Sequence, residues 1–339
     1  MIVNGVLTSI AGAIVQRRIS PISRVGFILT LAMAAAAVII SLATMLVFLN
    51  LPNILPLVLG VLVLDGISRL APQTLNIQAV QTTLYSILYL VVTCFSGVLA
   101  AYAMQRFAFP LQDHLFTQVD AALGVNWFAI AHWVDGHLVI QRVLKFAYAS
   151  MGSQIAIPVV VLAFSNRLSD LRVYLLAFAL TLAVTTIIGA LLPAASSIAL
   201  VDRTTFNVLR FTGATPIDHL ARLRAAAPTV LSGSLGGVIA FPSFHAAVAT
   251  LTPLVLYRYR GLFAALLILD AAMLGGCLTE GAHYLCDIFA GIGIVFCAYL
   301  LAKRIINLED RSLPHHLDES IAPHLAAPAP WIPSSKNSL

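Results

Sequence analysis

The sequence predicts an all-α, polytopic integral membrane protein, a helical bundle of about eight spans. Three observations carry this. Apolar residues make up 60% of the 339 positions and charged residues only 10%, against about 25% charge in soluble domains. Apolar runs long enough to cross roughly 30 Å of hydrocarbon recur along the chain between short polar breaks. Two short polar islands, 241–246 and 281–287, interrupt the oily C-terminal third, and ionisable groups at membrane depth are costly and usually functional.

Residues 1–24 form a short basic lead-in with Arg17, Arg18 and Arg24, followed by a first span at 25–49. That run is too long for a secretory signal's apolar region, so an uncleaved first helix is expected. Pro52 and Pro56 punctuate the return into a second span at 54–70, and the third covers 82–104, completing an N-terminal region, 1–104, of three spans. Residues 105–138 change texture, with Asp113, His114, Asp120, Trp127, His132 and Trp133 among apolar neighbours. This reads as an interfacial helical segment with Trp at headgroup level. Span four, 141–164, carries Lys145 and Gln154, which can face a cavity, and span five, 172–192, stops at Pro193. A long Ala/Ser/Gly-rich loop, 193–240, precedes spans six to eight at 242–257, 261–278 and 284–302. The region 105–303 is thus a second membrane domain, and 304–339, rich in Pro, Ser and His, reads as a disordered cytoplasmic tail.

Basic residues set the orientation. Arg17, Arg18 and Arg24 keep the N-terminus inside, and threading eight spans places Arg69, Arg167, Arg172, Arg258, Arg260, Lys303 and Arg304 on the same side. Both long loops and both polar islands then face away from the cytoplasm. In a bacterial inner membrane, the setting favoured by the compact length and the lack of eukaryotic sorting signals, that side is the periplasm. The net charge of +5 is modest and does not point to nucleic acid. Cys94, Cys277, Cys286 and Cys297 form no CxxC pair, so neither a zinc site nor a disulfide framework is indicated.

The islands carry the chemistry. His283 and Asp287 are four residues apart, which on a helix puts the carboxylate within reach of one imidazole nitrogen. Such a pair fixes the tautomer and leaves the other nitrogen as a nucleophile. His245, on the preceding apolar segment, supplies a second imidazole able to protonate a leaving group. Arg203 and Arg210, seven apart in the long loop, are either an anion clamp with forks suited to phosphate or contacts to anionic headgroups. Glu280 either binds an acceptor hydroxyl or caps the helix start at 282–284. No carboxylate cluster calls for a metal or other cofactor.

At these residues the chain resembles the type 2 phosphatidic acid phosphatase (PAP2) superfamily, whose elements are Lys-x6-Arg-Pro, Pro-Ser-Gly-His and Ser-Arg-x5-His-x3-Asp. Pro242-Ser243-Phe244-His245 is similar to the second element, with Phe in place of Gly, and His283-x3-Asp287 to the end of the third. Cys277 stands where the third element has its phosphate-binding Arg, and Arg203-x6-Arg210-Phe211 only echoes the first. The resemblance implies that His283 takes the phosphoryl group, Asp287 orients it, His245 is the acid/base and Ser243 lies in a phosphate-binding element. The wording Gly281-Ala282-His283-Tyr284-Leu285-Cys286-Asp287, with Asp120 to Trp127 and Ala147-Tyr148-Ala149-Ser150, looks more like the branch of inositol phosphorylceramide synthase and bacterial inositolphosphotransferase-like proteins.

The implied reaction is a two-step displacement on a lipid phosphoester in the bilayer, ending on a lipid or sugar hydroxyl (transferase) or on water (lipid phosphate phosphatase). A non-enzymatic transporter would also explain eight spans and intramembrane polar groups, but it leaves the His/Asp spacing without a reason.

Overall fold

α1 (Arg24–Ala43) and α2 (Leu75–Met104) lie side by side and point the same way in this computed structural model. Ser23 caps α1, its hydroxyl accepting from Gly26 N at 2.9 Å. Thr30 Oγ1 lies 2.9 Å from Thr93 Oγ1, and a Cβ on Gly26 would sit 2.7 Å from Tyr89 Oη, so both contacts share one 63-residue offset. A constant offset means parallel helices, and the chain therefore enters α2 at the end opposite to the one where it leaves α1. The structure describes residues 21–48, 59–60, 62–64, 66–67, 75–206, 214–225, 227–231 and 236–311. Residues 1–20 of the basic lead-in, most of the expected second span, Arg210 and residues 312–339 of the expected tail lie outside them, while 304–311, expected to begin a disordered tail, continue the last helix. The body is Pro21–Ile306, and the other unit, Met1–Ser20 with Asn307–Leu339, contributes only the end of the last helix to the described residues.

Arg106, in the 3-10 turn that closes α2, ties its end of the bundle together. It donates to the carbonyls of Thr44, Leu223, Ala225 and Ala227 and to Thr229 Oγ1, at 2.8–3.1 Å. Beside it β1 (Leu46–Phe48) and β2 (Thr229–Leu231) pair in parallel, a small ladder absent from the all-helical expectation.

After α2 the expected interfacial segment becomes α3 (Asp113–Ala122) and α4 (Trp127–Asp135). The fourth expected span is not one straight helix but α5 (Leu138–Ala149) and α6 (Met151–Phe164), bent by 49° at Ser150. Within α6, Pro158 cannot donate to Gln154 O, and Thr252 Oγ1 reaches that orphaned carbonyl at 3.4 Å. α7 (Leu168–Leu191) runs through the centre, buried on nearly every side by a core that includes residues of α1, α2, α6 and the later helices. α8 (Ala214–Arg224), α9 (Phe244–Leu256), α10 (Arg260–Thr279) and α11 (Leu285–Arg311) complete the order.

Five helices among the described residues are long and apolar enough to cross a membrane, six if the bent pair counts as one, so the eight expected crossings are not all found. The expected sixth span is the main difference. α9 has 13 residues, a length of about 20 Å against roughly 30 Å of hydrocarbon. Its first residue, Phe244, packs edge-on against Phe178 near the middle of α7, with ring centroids 5.4 Å apart. The start of α9 is drawn inward because Ser243 N donates to Asp287 O at 3.0 Å. Gly291 permits the approach, since a Cβ there would lie 2.2 Å from Ser243 O.

Candidate active site

His283 sits in the loop between α10 and α11, and backbone bonds fix that loop before any side chain acts. Gly281 N donates to Gly276 O at 3.1 Å and His283 N to Cys277 O at 3.0 Å. Ala282 adopts a left-handed conformation at φ 52°. Its carbonyl accepts from the hydroxyls of Ser196 and Ser197, both at 2.6 Å, and from Ser197 N at 3.0 Å. Three donors on one oxygen hold the residue before His283 in a shape it would not choose alone.

The fully buried Asp287 then aims the imidazole. Its Oδ2 lies 3.2 Å from His283 Nδ1 and accepts from Tyr284 N at 3.0 Å. Nδ1 towards the carboxylate leaves Nε2 as the nitrogen with a usable lone pair. Two carboxylates on α3 anchor the same loop. Asp120 accepts from Leu285 N at 2.8 Å and Cys286 N at 3.2 Å, satisfying the first donors of α11. Asp113 accepts from Ala195 N and Ser196 N at 3.0–3.1 Å and from Tyr284 Oη at 2.9 Å. Burial and the neighbouring Asp113 push the Tyr284 hydroxyl well above its usual range, so it remains a donor.

His245 is positioned by packing. Its ring stacks on Tyr148 with centroids 3.9 Å apart and planes within 10°. Tyr148 stands beside the bend between α5 and α6, and α10 approaches it closely: a Cβ on Gly276 would fall 2.8 Å from Leu144 O and 3.0 Å from Tyr148 Cβ. A Cβ on Gly281 would be 2.7 Å from His283 Cδ2 and 2.9 Å from Tyr148 Oη, so two glycines let these rings share one space. His245 and His283 both line a cavity of about 450 Å³ whose walls are mostly apolar. A smaller cavity of about 210 Å³ reaches His245 from another direction, past Lys145 and Glu280.

The other candidates fall in different places. Ser243 is fully buried, and its hydroxyl caps α9 by accepting from Ala246 N at 3.3 Å instead of lining either cavity. Glu280 ends α10 and does not cap the next helix, whose first donors Asp120 takes. The Glu280 carboxylate is buried and accepts from Gln141 Nε2 at 3.0 Å. Burial raises its pKa, opposed by Gln141 and by the charge of Lys145. Arg203 lies in a 3-10 turn, Arg203–Thr205, and Arg210 falls outside the described residues, so the clamp is not brought into view. Among the described residues, Lys145 is the cation that lines either cavity. Trp127 is buried and donates from Nε1 to Leu278 O at 2.7 Å, while Trp133 is exposed. All four cysteines are free. Sequence reading missed Asp113, Asp120, Tyr148, Ser196 and Ser197 as supports. The seven-residue spacing of Asp113 and Asp120, one face of a helix, was the signal available for two of them.

A family model described as the PAP2 superfamily matches residues 114–301. This chain belongs to the PAP2 superfamily. Membership carries phosphatase or phosphotransferase chemistry on phosphoesters, and the long apolar helices make it an integral membrane protein acting on a lipid phosphoester. The PAP2 match takes in both histidines, Asp287 and Asp120, and it leaves α1, β1 and α2 outside. No curated protein and no solved structure matches the chain.

Proposed function

We propose that this chain is a membrane phosphotransferase that moves a phospho-headgroup, such as inositol phosphate, between lipids. The observation that carries it is the His283–Asp287 pair facing one apolar cavity with His245. His283 Nε2 attacks phosphorus as the donor's P–O bond breaks, and the departing oxygen takes a proton from His245. The phosphohistidine then meets an acceptor hydroxyl, which gives its proton to His245 as its oxygen displaces the imidazole from phosphorus. Asp287 balances the charge on the ring throughout, and positioning with stabilisation of the phosphoryl oxygens supplies most of the rate. Lys145, Arg203 and Arg210 are the cations assigned to those oxygens, and Glu280 receives the acceptor hydroxyl.

Transfer is favoured over hydrolysis by the cavity lining, which offers bulk water little polar surface, and by the wording of the two motifs. The basic residues Arg24, Arg167, Arg258 and Arg260 lie at or beside helix termini, and Arg172, Lys303 and Arg304 lie in the parts of α7 and α11 away from the histidines. This fits both termini inside and a site on the extracytoplasmic face. The parallel α1–α2 pair fits a further crossing between them, as an eight-span count requires.

The test is purified protein with a panel of phosphomonoester and phosphodiester lipids, products resolved by mass spectrometry alongside a phosphate assay. A new phosphodiester lipid with little free phosphate is expected. Free phosphate as the main product would replace transfer by the lipid phosphate phosphatase reading, with water as acceptor.

A further inference from the structure

The cavity that holds the histidines extends past the matched region. Its far wall is α2, through Cys94, Gly97, Val98, Ala101 and Tyr102. These positions recur every three or four residues, one stripe about 12 Å long at 1.5 Å per residue. α7 packs against this stripe at Gly97, where a Cβ would lie 2.5 Å from Leu182 Cδ2, and Leu182, Thr185 and Thr186 of α7 line the same cavity. Cys94 and Ala101, the other small residues of the stripe, leave room for a ligand along α2. The wall's hydroxyls are largely spoken for: Thr185 Oγ1 donates to Leu182 O at 3.0 Å, and Tyr102 Oη pairs with His219 Nδ1 at 3.1 Å. Thr186 Oγ1, buried on the same cavity with no hydrogen-bond partner, is left for one oxygen of a ligand.

We propose that α2 builds the chain-binding wall of the site: a single hydrocarbon chain of the phosphoester lies along Cys94, Val98 and Ala101 with its phosphate at His283 and His245. The phosphoester reading above is its premise. A void of about 450 Å³ holds on the order of fifteen methylene-sized groups at roughly 30 Å³ each, the share of one water in the liquid. That is one alkyl or prenyl chain. Chain selectivity therefore resides in a helix outside the region that supplies the catalytic residues.

The direct test uses the wild-type protein in lipid nanodiscs and a long-chain alkyl phosphate with a diazirine at mid-chain. After irradiation and digestion, label is expected on the peptide containing residues 94–102, reduced at least fivefold by excess unlabelled alkyl phosphate. Label confined to lipid-facing positions such as Val92, or indifferent to competitor, overturns the proposal. Kinetics give a second readout. Ala101→Phe should raise KM for a long-chain phosphoester at least tenfold more than for a short-chain one, and Val92→Phe, on the exposed face, should change neither. Equal losses on both substrates for Ala101→Phe also overturn it. Competable label on 94–102 from a protein that turns over no phosphoester would break the catalytic reading while upholding the cavity. Turnover with label elsewhere would break this inference alone.

Discussion

The two histidines face one cavity but are held by opposite means. His283 is fixed by a polar network: Asp287 at Nδ1, three donors on Ala282 O, and two further carboxylates, Asp113 and Asp120, on the flanking backbone. His245 rides on the first turn of a short apolar helix against the face of Tyr148. The difference matches the tasks assigned to them. A nucleophile bonded to phosphorus has to present one nitrogen in one direction, which directional hydrogen bonds enforce. An acid/base that serves first a leaving oxygen and then an incoming one gains from a ring whose face is fixed while its edge stays unencumbered.

The sharpest way to break the comparison is His283→Ala, which should cost about 10⁴-fold or more in turnover if that ring is the nucleophile. Full activity in the variant, measured by lipid product formation, would remove His283 from the role. His245→Ala should cost on the order of 10²–10⁴-fold on a lipid substrate. The loss should shrink on an aryl phosphate whose leaving group needs no proton, and an equal loss on both substrates would mean that His245 is not the acid. The stacking claim is finer. Tyr148→Leu should lower turnover by about tenfold, the scale of one aromatic pair, whereas Tyr148→Phe keeps the ring and most of the rate. Smallest is Asp120→Ala, which strips the cap from Leu285 and Cys286 and should cost about 1 kcal/mol of stability, read as a lower Tm in detergent. An unchanged Tm would show that water replaces the carboxylate there.

What was legible beforehand follows from which interactions are local. His283 and Asp287 could be paired from the sequence because four residues of chain keep them close, although His283 lies in the loop just before α11 and not on the helix the spacing suggested. Most spans could be read because apolar length is a property of each segment. The inward start of α9 was not legible. Hydropathy reads 242–257 as one more crossing, and only the contacts of Phe244 with Phe178 and Ser243 with Asp287 show it beginning part-way along α7. Asp113 and Asp120 bond to residues more than 80 and 160 positions away, respectively, so their polarity was visible and their partners were not. The Gln154 carbonyl that Pro158 leaves behind is likewise met from far along the chain, by Thr252 of α9, 98 positions on.

Arg106 has a bearing on how the protein is made. Four of its five bonds reach residues 117–123 positions further along the chain. At roughly 5–20 residues per second of synthesis, α2 spends on the order of ten seconds on the ribosome's membrane side with that guanidinium lacking most of its final acceptors. During that interval the α1–α2 pair is held mainly by contacts of its own, among them the Thr30–Thr93 bond. The end of the bundle beside β1 and β2 thus closes late, when the chain emerging after α8 reaches back to a turn made long before.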